Sequence, residues 1–170
     1  LGDVYKRQYL YHAKAYSPAI GDVVATSDQE AGTVDIVFIM ADGSTPGEEM
    51  IEGLEGYLQG KTIRPMTDLV RVAAPQEVTY TINLTYYINR SDSAKAVTIQ
   101  AAVAQAVADY QTWQRAIGRD INPSKLVAMV MEAGAKRVTM TAPTYTAVAA
   151  TKVSALQGEA TVTYGGLEDD

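Results

Sequence analysis

The chain has 170 residues, enough for one ordinary domain or two small ones, and at 47% hydrophobic and 20% charged it is globular rather than disordered. Its net charge of −6, with no local basic patch, argues against a nucleic-acid-binding face. It has no cysteine, which excludes disulfides, thiolate metal sites and cysteine nucleophiles, and no apolar run approaches the roughly 20 residues of a membrane-spanning helix.

The chain opens on Leu1–Gln8, which lacks an initiator Met and shares no pattern with the residues from Tyr9 onward. Asp3–Gln8 matches the in-frame translation of a transposase end used as a sequencing adapter, so residues 1–8 are set aside as a scar. On that reading the chain is the C-terminal part of a longer protein. Tyr9–Tyr16 then has the pattern of a helix tail ended by Ser17-Pro18. Asp22–Thr26 and Thr33–Met40 are strand candidates joined by the polar loop Ser27–Gly32. The second is apolar at both parities, which predicts a central strand buried on both faces.

Asp42-Gly43-Ser44 is a turn, and Thr45-Pro46-Gly47-Glu48 has the form of a capped helix start, with Thr45 as cap, Pro46 in the first helical position and Glu48 closing the box. Met50, Ile51, Leu54, Tyr57 and Leu58 mark the helix's apolar face, and Gly60 its stop. Arg64-Pro65-Met66-Thr67-Asp68 comes next as a connector, with Arg64, Pro65 and Asp68 placed to stiffen and tie it. Leu69–Ala73 is a strand candidate that breaks at Pro75 and opens a second unit.

From Val78 to Ile88 every even position is apolar (Val78, Tyr80, Ile82, Leu84, Tyr86, Ile88). Nearly every odd one is polar, with Tyr87 the exception. This alternation predicts one long strand with one buried face. Ser91–Ser93 introduces the longest helix, Ala94–Ile117, whose stripe is Ile99, Val103, Val107, Tyr110, Trp113 and Ile117. Asn122-Pro123 starts a shorter helix through Ala133. Val138 and Met140 alternate with Arg137, Thr139 and Thr141 in a strand that Pro143 ends, Thr144–Gly158 is poorly patterned, Glu159–Tyr164 is a last alternating strand, and Gly165–Asp170 is expected to fray.

The fold class expected is α+β, as two small units, β-β-α followed by β-β-α-α-β-β, with mixed sheets and helices packed on one face. The first unit spans 9–63, the connector and first strand 64–75, the C-terminal unit 76–165 and an acidic tail 166–170.

The residues give little footing for catalysis. Gly56-Tyr57-Leu58-Gln59-Gly60-Lys61-Thr62 is one residue short of a phosphate-binding loop and sits at a helix's end, where the dipole disfavours anions. His12 is the one histidine, and a surface or core role outweighs a catalytic base. Glu48, Glu49 and Glu52 compensate a helix dipole more readily than they bind metal. Arg119 and Asp120 are a loop ion pair or help cap the next helix. Glu168–Asp170 is a solvated end. Tyr57, Tyr80, Tyr86 and Tyr110 fall on apolar faces where packing explains them, and Tyr87, on the polar face, is left over. No catalytic, cofactor or metal residue is assigned.

Read end to end, Tyr9–Tyr164 resembles the C-terminal part of the baseplate J-like family of contractile phage tails. The landmarks, in order, are Ser17-Pro18 with Ile20, Asp22 and Val23; Gly32-Thr33-Val34; Gly43-Ser44-Thr45-Pro46; Arg64–Asp68; Gly118-Arg119-Asp120-Ile121; Ser124 with Leu126; and Val138–Pro143. The resemblance implies a structural protein of the baseplate wedge, located in the virion and assembled in the host bacterial cytoplasm, with the first unit as the family's middle domain. Its implied partners are other wedge proteins and copies of itself, with no nucleic acid, membrane, cofactor or small-molecule substrate. The odd face of the long strand, Thr79, Thr81, Asn83, Thr85 and Tyr87, is the candidate contact surface. The alternative is a small-molecule-binding or regulatory α+β module.

Overall fold

The computed structural model describes residues 2–28, 30–61 and 69–170. The chain divides into two units, one ending at Gln76 and one running from Glu77 to Asp170. Both are α+β: mixed sheets with helices packed on one face.

The first unit begins with α1 (Gly2–Tyr16). The helix starts at Gly2 rather than Tyr9, and the physical reason is side-chain spacing. Tyr5, Tyr9 and Ala13 recur every four residues, so they lie on one helix face, and all three meet the core. Next come β1 (Ile20–Asp28) and β2 (Thr33–Met40), an antiparallel pair. α2 (Glu48–Gln59) then carries the chain across the sheet, so that β3 (Leu69–Ala73) lies parallel to β2.

This pairing corrects the expected division of the chain. Leu69–Ala73 does not open the second unit; it closes the first, in the order β1-β2-β3. Val70 and Val72 enter the same core as Val34, Ile36, Phe38, Leu54 and Leu58, and burial rather than chain order decides membership. The connector residues Arg64, Pro65 and Asp68 lie outside the described residues.

β2 is central, as expected, but it is not buried on both faces. Val34, Ile36 and Phe38 pack under the helices, while of the opposite set only Ile39 is buried. That second face carries the ion pair between Asp35 and Arg71, whose side chains are about half exposed. The α2 start also differs. Gly47, not Thr45, is the N-cap and makes no side-chain cap bond, and Pro46 precedes the helix instead of opening it; Ser44 is held in its turn by Asp42. The apolar face of α2 is the expected one: Leu54 and Leu58 are fully buried, with Met50, Ile51 and Tyr57 packed beside them.

The outer edge of β3 is covered by α2. The Val70 N–H donates to Gln59 Oε1 and the Val72 N–H to Glu55 Oε2, each at 2.9 Å. These side chains satisfy backbone donors that an edge strand would otherwise offer to another strand.

In the second unit the expected long strand is two strands, β4 (Glu77–Tyr80) and β5 (Asn83–Asn89). The break at Thr81-Ile82 has a cause in the opposing chain. β4 pairs parallel with β7 (Val153–Leu156), and β5 pairs parallel with β8 (Thr161–Glu168). Glu77 faces Val153 and Asn83 faces Thr161, so six steps on one side are met by eight on the other. The surplus loops out between β7 and β8. A lag of two preserves side-chain facing, so Tyr80, Ile82, Leu84, Tyr86 and Ile88 all reach one core across the break.

A 3-10 turn at Arg90–Lys95 leads into α3 (Ala96–Gln114), followed by α4 (Pro123–Glu132) and β6 (Arg137–Ala142). α3 is shorter than the expected Ala94–Ile117 at both ends. Asn89 accepts the Ser91 N–H and starts the tighter turn. At the other end the wholly buried Gln114 anchors the chain's departure. Its amide donates to the carbonyls of Arg119 and Asp120, while its Oε1 accepts from Tyr110 Oη at 3.1 Å and the Asn122 N–H at 3.0 Å. Ile99, Val103, Val107 and Tyr110 of α3 and Leu126 and Val130 of α4 cover the even face of β4 and β5.

β6 lies antiparallel to β5 on the side away from β8, giving the order β6-β5-β8. The poorly patterned Thr144–Gly158 contains β7, and the last strand runs to Glu168 instead of ending at Tyr164. The reason is a bulge: Tyr86 faces Tyr164, but Ile88 faces Leu167, so two steps are met by three. A lag of one inverts facing, which turns Leu167 toward the core and Glu168 to the open side.

Candidate protein-binding face

With α3 and α4 on the even face, no helix among the described residues of this unit covers the odd face of β6-β5-β8. Its members come from all three strands: Asn83, Thr85 and Tyr87 from β5, Arg137, Thr139 and Thr141 from β6, and Thr161, Thr163 and Gly165 from β8. The register sets them side by side. Thr139 and Thr163 flank Thr85, Thr161 lies beside Asn83, and Arg137 beside Tyr87. β-branched threonines suit strands and present hydroxyls at a uniform height. The hydroxyls of Thr139 and Thr141 reach the carbonyls of Thr85 and Asn83 at 3.5 and 3.4 Å.

The structure thus brings together Asn83, Thr85 and Tyr87 of the expected contact set. Thr79 is exposed on β4, opposite Ala155, and Thr81 is exposed at the break between the strands. Tyr87 has an internal task. Its ring fills the space where Gly165 has no side chain, and the Arg137 guanidinium stacks 4.0 Å from its centroid. The members from β6 and β8 were legible as alternating threonines, but not as neighbours of β5.

One end of the face is charged. Arg137 makes a two-pronged pair with Glu168, at 2.5 and 3.1 Å. That pair holds the Glu168 carboxyl below its ordinary range, the Arg137 hydrogen bond being the main cause. Arg90 Nε donates to Asp169 Oδ1 at 2.6 Å, and Asn89 Nδ2 to Asp170 Oδ1 at 2.6 Å. Lys136 donates to the Asp169 carbonyl and stands 4.0 and 3.8 Å from Glu168 and Asp170. The acidic stretch expected to be a solvated end is therefore paired, because the bulge aims Glu168 at Arg137.

Arg119 and Asp120 also differ from expectation. Asp120 accepts the Val148 N–H and the Tyr145 hydroxyl, each at 2.8 Å, and its carboxyl is held below the ordinary range mainly by the Val148 bond. Arg119 donates to the Trp113 carbonyl and stacks on its ring, and the cap of α4 is Asn122, which accepts the Lys125 N–H. His12 meets Tyr11 edge-on at 5.3 Å. A depression of about 310 Å³ lies between α3 and α4, floored by Ala102, Ala106, Met129 and Ala133 and edged by Asp109 and Glu132.

Residues 5–74 match the Baseplate J-like central domain and residues 80–164 the Baseplate J-like protein C-terminal domain. Over 135 residues, 79% of this chain, the sequence is 29% identical to Baseplate protein J of Escherichia phage P2, and it spans 44% of that protein. A chain in the cryo-EM structure of the anti-feeding prophage baseplate, 6-fold symmetrised, shares the fold with a TM-score of 0.57 at 15% identity. That likeness covers 86% of this chain and 35% of the other.

Proposed function

The chain belongs to the baseplate J-like family, and from that premise we propose that it is a structural component of the baseplate of a contractile phage tail or tail-like particle. It acts in baseplate assembly through protein–protein contacts rather than by catalysis. The observation that carries this reading is the succession of two family domains along one chain, central then C-terminal, each covering one unit of the fold. Its partners are other baseplate proteins and copies of itself, and its place is the tail baseplate, assembled in the host bacterial cytoplasm. The threonine-lined sheet face is the contact surface: it is hydroxyl-rich, and no helix among the described residues of its own unit covers it.

The test is to tag the gene in its native phage or prophage, purify the tails, and locate the tag with gold-labelled antibody. Label at the distal end of the tail is expected; label missing from the particles or spread along the tube would sink the assignment. For the face, Thr85→Lys with Thr163→Lys is expected to abolish pull-down of a neighbouring baseplate protein with an unchanged circular dichroism spectrum. Undiminished pull-down would remove this face from the interface. Tyr87 is left intact in that variant, because it packs against Gly165.

A further inference from the structure

Cations from two elements gather at one end of the second unit's sheet: Arg90 just after β5, and Lys136 and Arg137 at the start of β6. All of them are engaged by one short segment of this chain, Glu168–Asp170. Glu168 is also seated in β8 beside Asn89, whereas the two residues after it are held by charge. The side chains of Asp169 and Asp170 are 74% and 83% exposed, and half-buried Leu167 is the segment's apolar anchor. Immediately upstream, Gly165 and Gly166 offer no side chains to brace it, and Gly166 has a φ of +106°, a backbone freedom peculiar to glycine.

We propose that Arg90, Lys136 and Arg137 form a receptor for an acidic segment at the end of an extended strand, filled here by the chain's own Glu168–Asp170 and open to the same segment of a second copy. Exposed ion pairs hold weakly, so an equivalent set of carboxylates from a second copy competes once its concentration approaches the effective concentration of the tethered segment. The chain carries a net charge of −6, which disfavours an acidic segment over the surface at large and makes this cluster selective. The matching ligand is already part of the molecule, and exchange of an identical element between copies is a low-cost route to association. The receptor is independent of the baseplate reading.

The test uses the full chain with Glu168→Gln, Asp169→Asn and Asp170→Asn, and as probe the peptide Tyr-Gly-Gly-Leu-Glu-Asp-Asp, titrated by NMR. Saturable shifts are expected at Asn89–Ser91 and Lys136–Arg137, with affinity about fivefold higher than for the unsubstituted chain. They should vanish when Arg137 is also changed to Gln, and in about 0.5 M salt. Because the chain has no cysteine, a mixture of single variants Asn89→Cys and Glu168→Cys reports exchange between copies. These positions are register partners, so oxidation should yield a disulfide-linked dimer. Equal binding to both forms of the chain, equal binding of a peptide with lysines in place of the acids, or no dimer above a control pair with the cysteine at Thr79 would overturn the proposal.

Discussion

The ring of Tyr87 occupies the volume that a side chain at Gly165 would need. A Cβ on Gly165 would stand 2.8 Å from Tyr87 Cδ1 and Cζ and closer still to Cε1. The ring cannot swing away freely, since Arg137 stacks upon it and is itself gripped by Glu168. Gly165→Ala is therefore expected to destabilise the second unit by about 1–3 kcal/mol, the usual cost of overpacking. Tyr87→Ala should relieve most of that cost. A urea-denaturation cycle checks it: if Gly165→Ala costs as much without the tyrosine ring as with it, the clash is not the cause.

A second expectation concerns the guarded edge of β3. Glu55→Ala with Gln59→Ala removes the acceptors for the Val72 and Val70 N–H groups. Each bond contributes about 0.5–1.5 kcal/mol, so the loss of stability should be modest. The larger effect is on association, because the freed donors face outward on an edge strand. Light scattering should show a concentration-dependent rise in mass for the double variant and none for Arg71→Ala, which breaks only a surface ion pair. A double variant that stays monodisperse would show that the helix guards nothing.

The Ser44 hydrogen bonds hold the Asp42 carboxyl low in the first unit, and in the second unit the acid limb of stability should trace to Glu168 and Asp120. Both are held below their ordinary values of 4.5 and 3.8, by Arg137 and by the Val148 N–H respectively. A depressed folded pKa contributes stability above the ordinary value and loses it as pH falls through the folded one. The alkaline limb has the opposite sign. Burial pushes Tyr80 up to about 12 and Tyr110 up as well, so stability is full below 10 and is lost as pH rises toward 12. Glu168→Gln and Asp120→Asn should flatten the acid limb in thermal melts while leaving the alkaline limb in place. Loss of the alkaline limb in those variants, or an unchanged acid limb, would count against this division.

Much of this architecture was legible because it rests on local pattern. The even residues from Tyr80 to Ile88 all reach the core, and the stripe of α2 and most of that of α3 do as well. What was not legible depends on the partner of each strand. Leu69–Ala73 carries no mark saying that it pairs with β2, and Thr81-Ile82 carries none of the two extra residues opposite. Gln114 carries no mark in the sequence, because burial of a glutamine becomes intelligible only when its four partners are placed around it. The alternation after Tyr164 fades in the sequence because the bulge reverses it, and the sheet face was seen as one strand's residues for want of its neighbours.

The bulge at Gly165-Gly166 also makes the two ends of β8 differ in what they tolerate. An insertion of even length in the β7–β8 loop leaves every downstream side chain on its own side of the sheet. Losing a single residue at the glycine pair would exchange inside for outside over the last turns of the pleat, putting Leu167 in water and Glu168 in the core. The glycine pair is thus a phase-setter, and the grip between the chain's last acids and its scattered arginines and lysine exists only while that phase is kept.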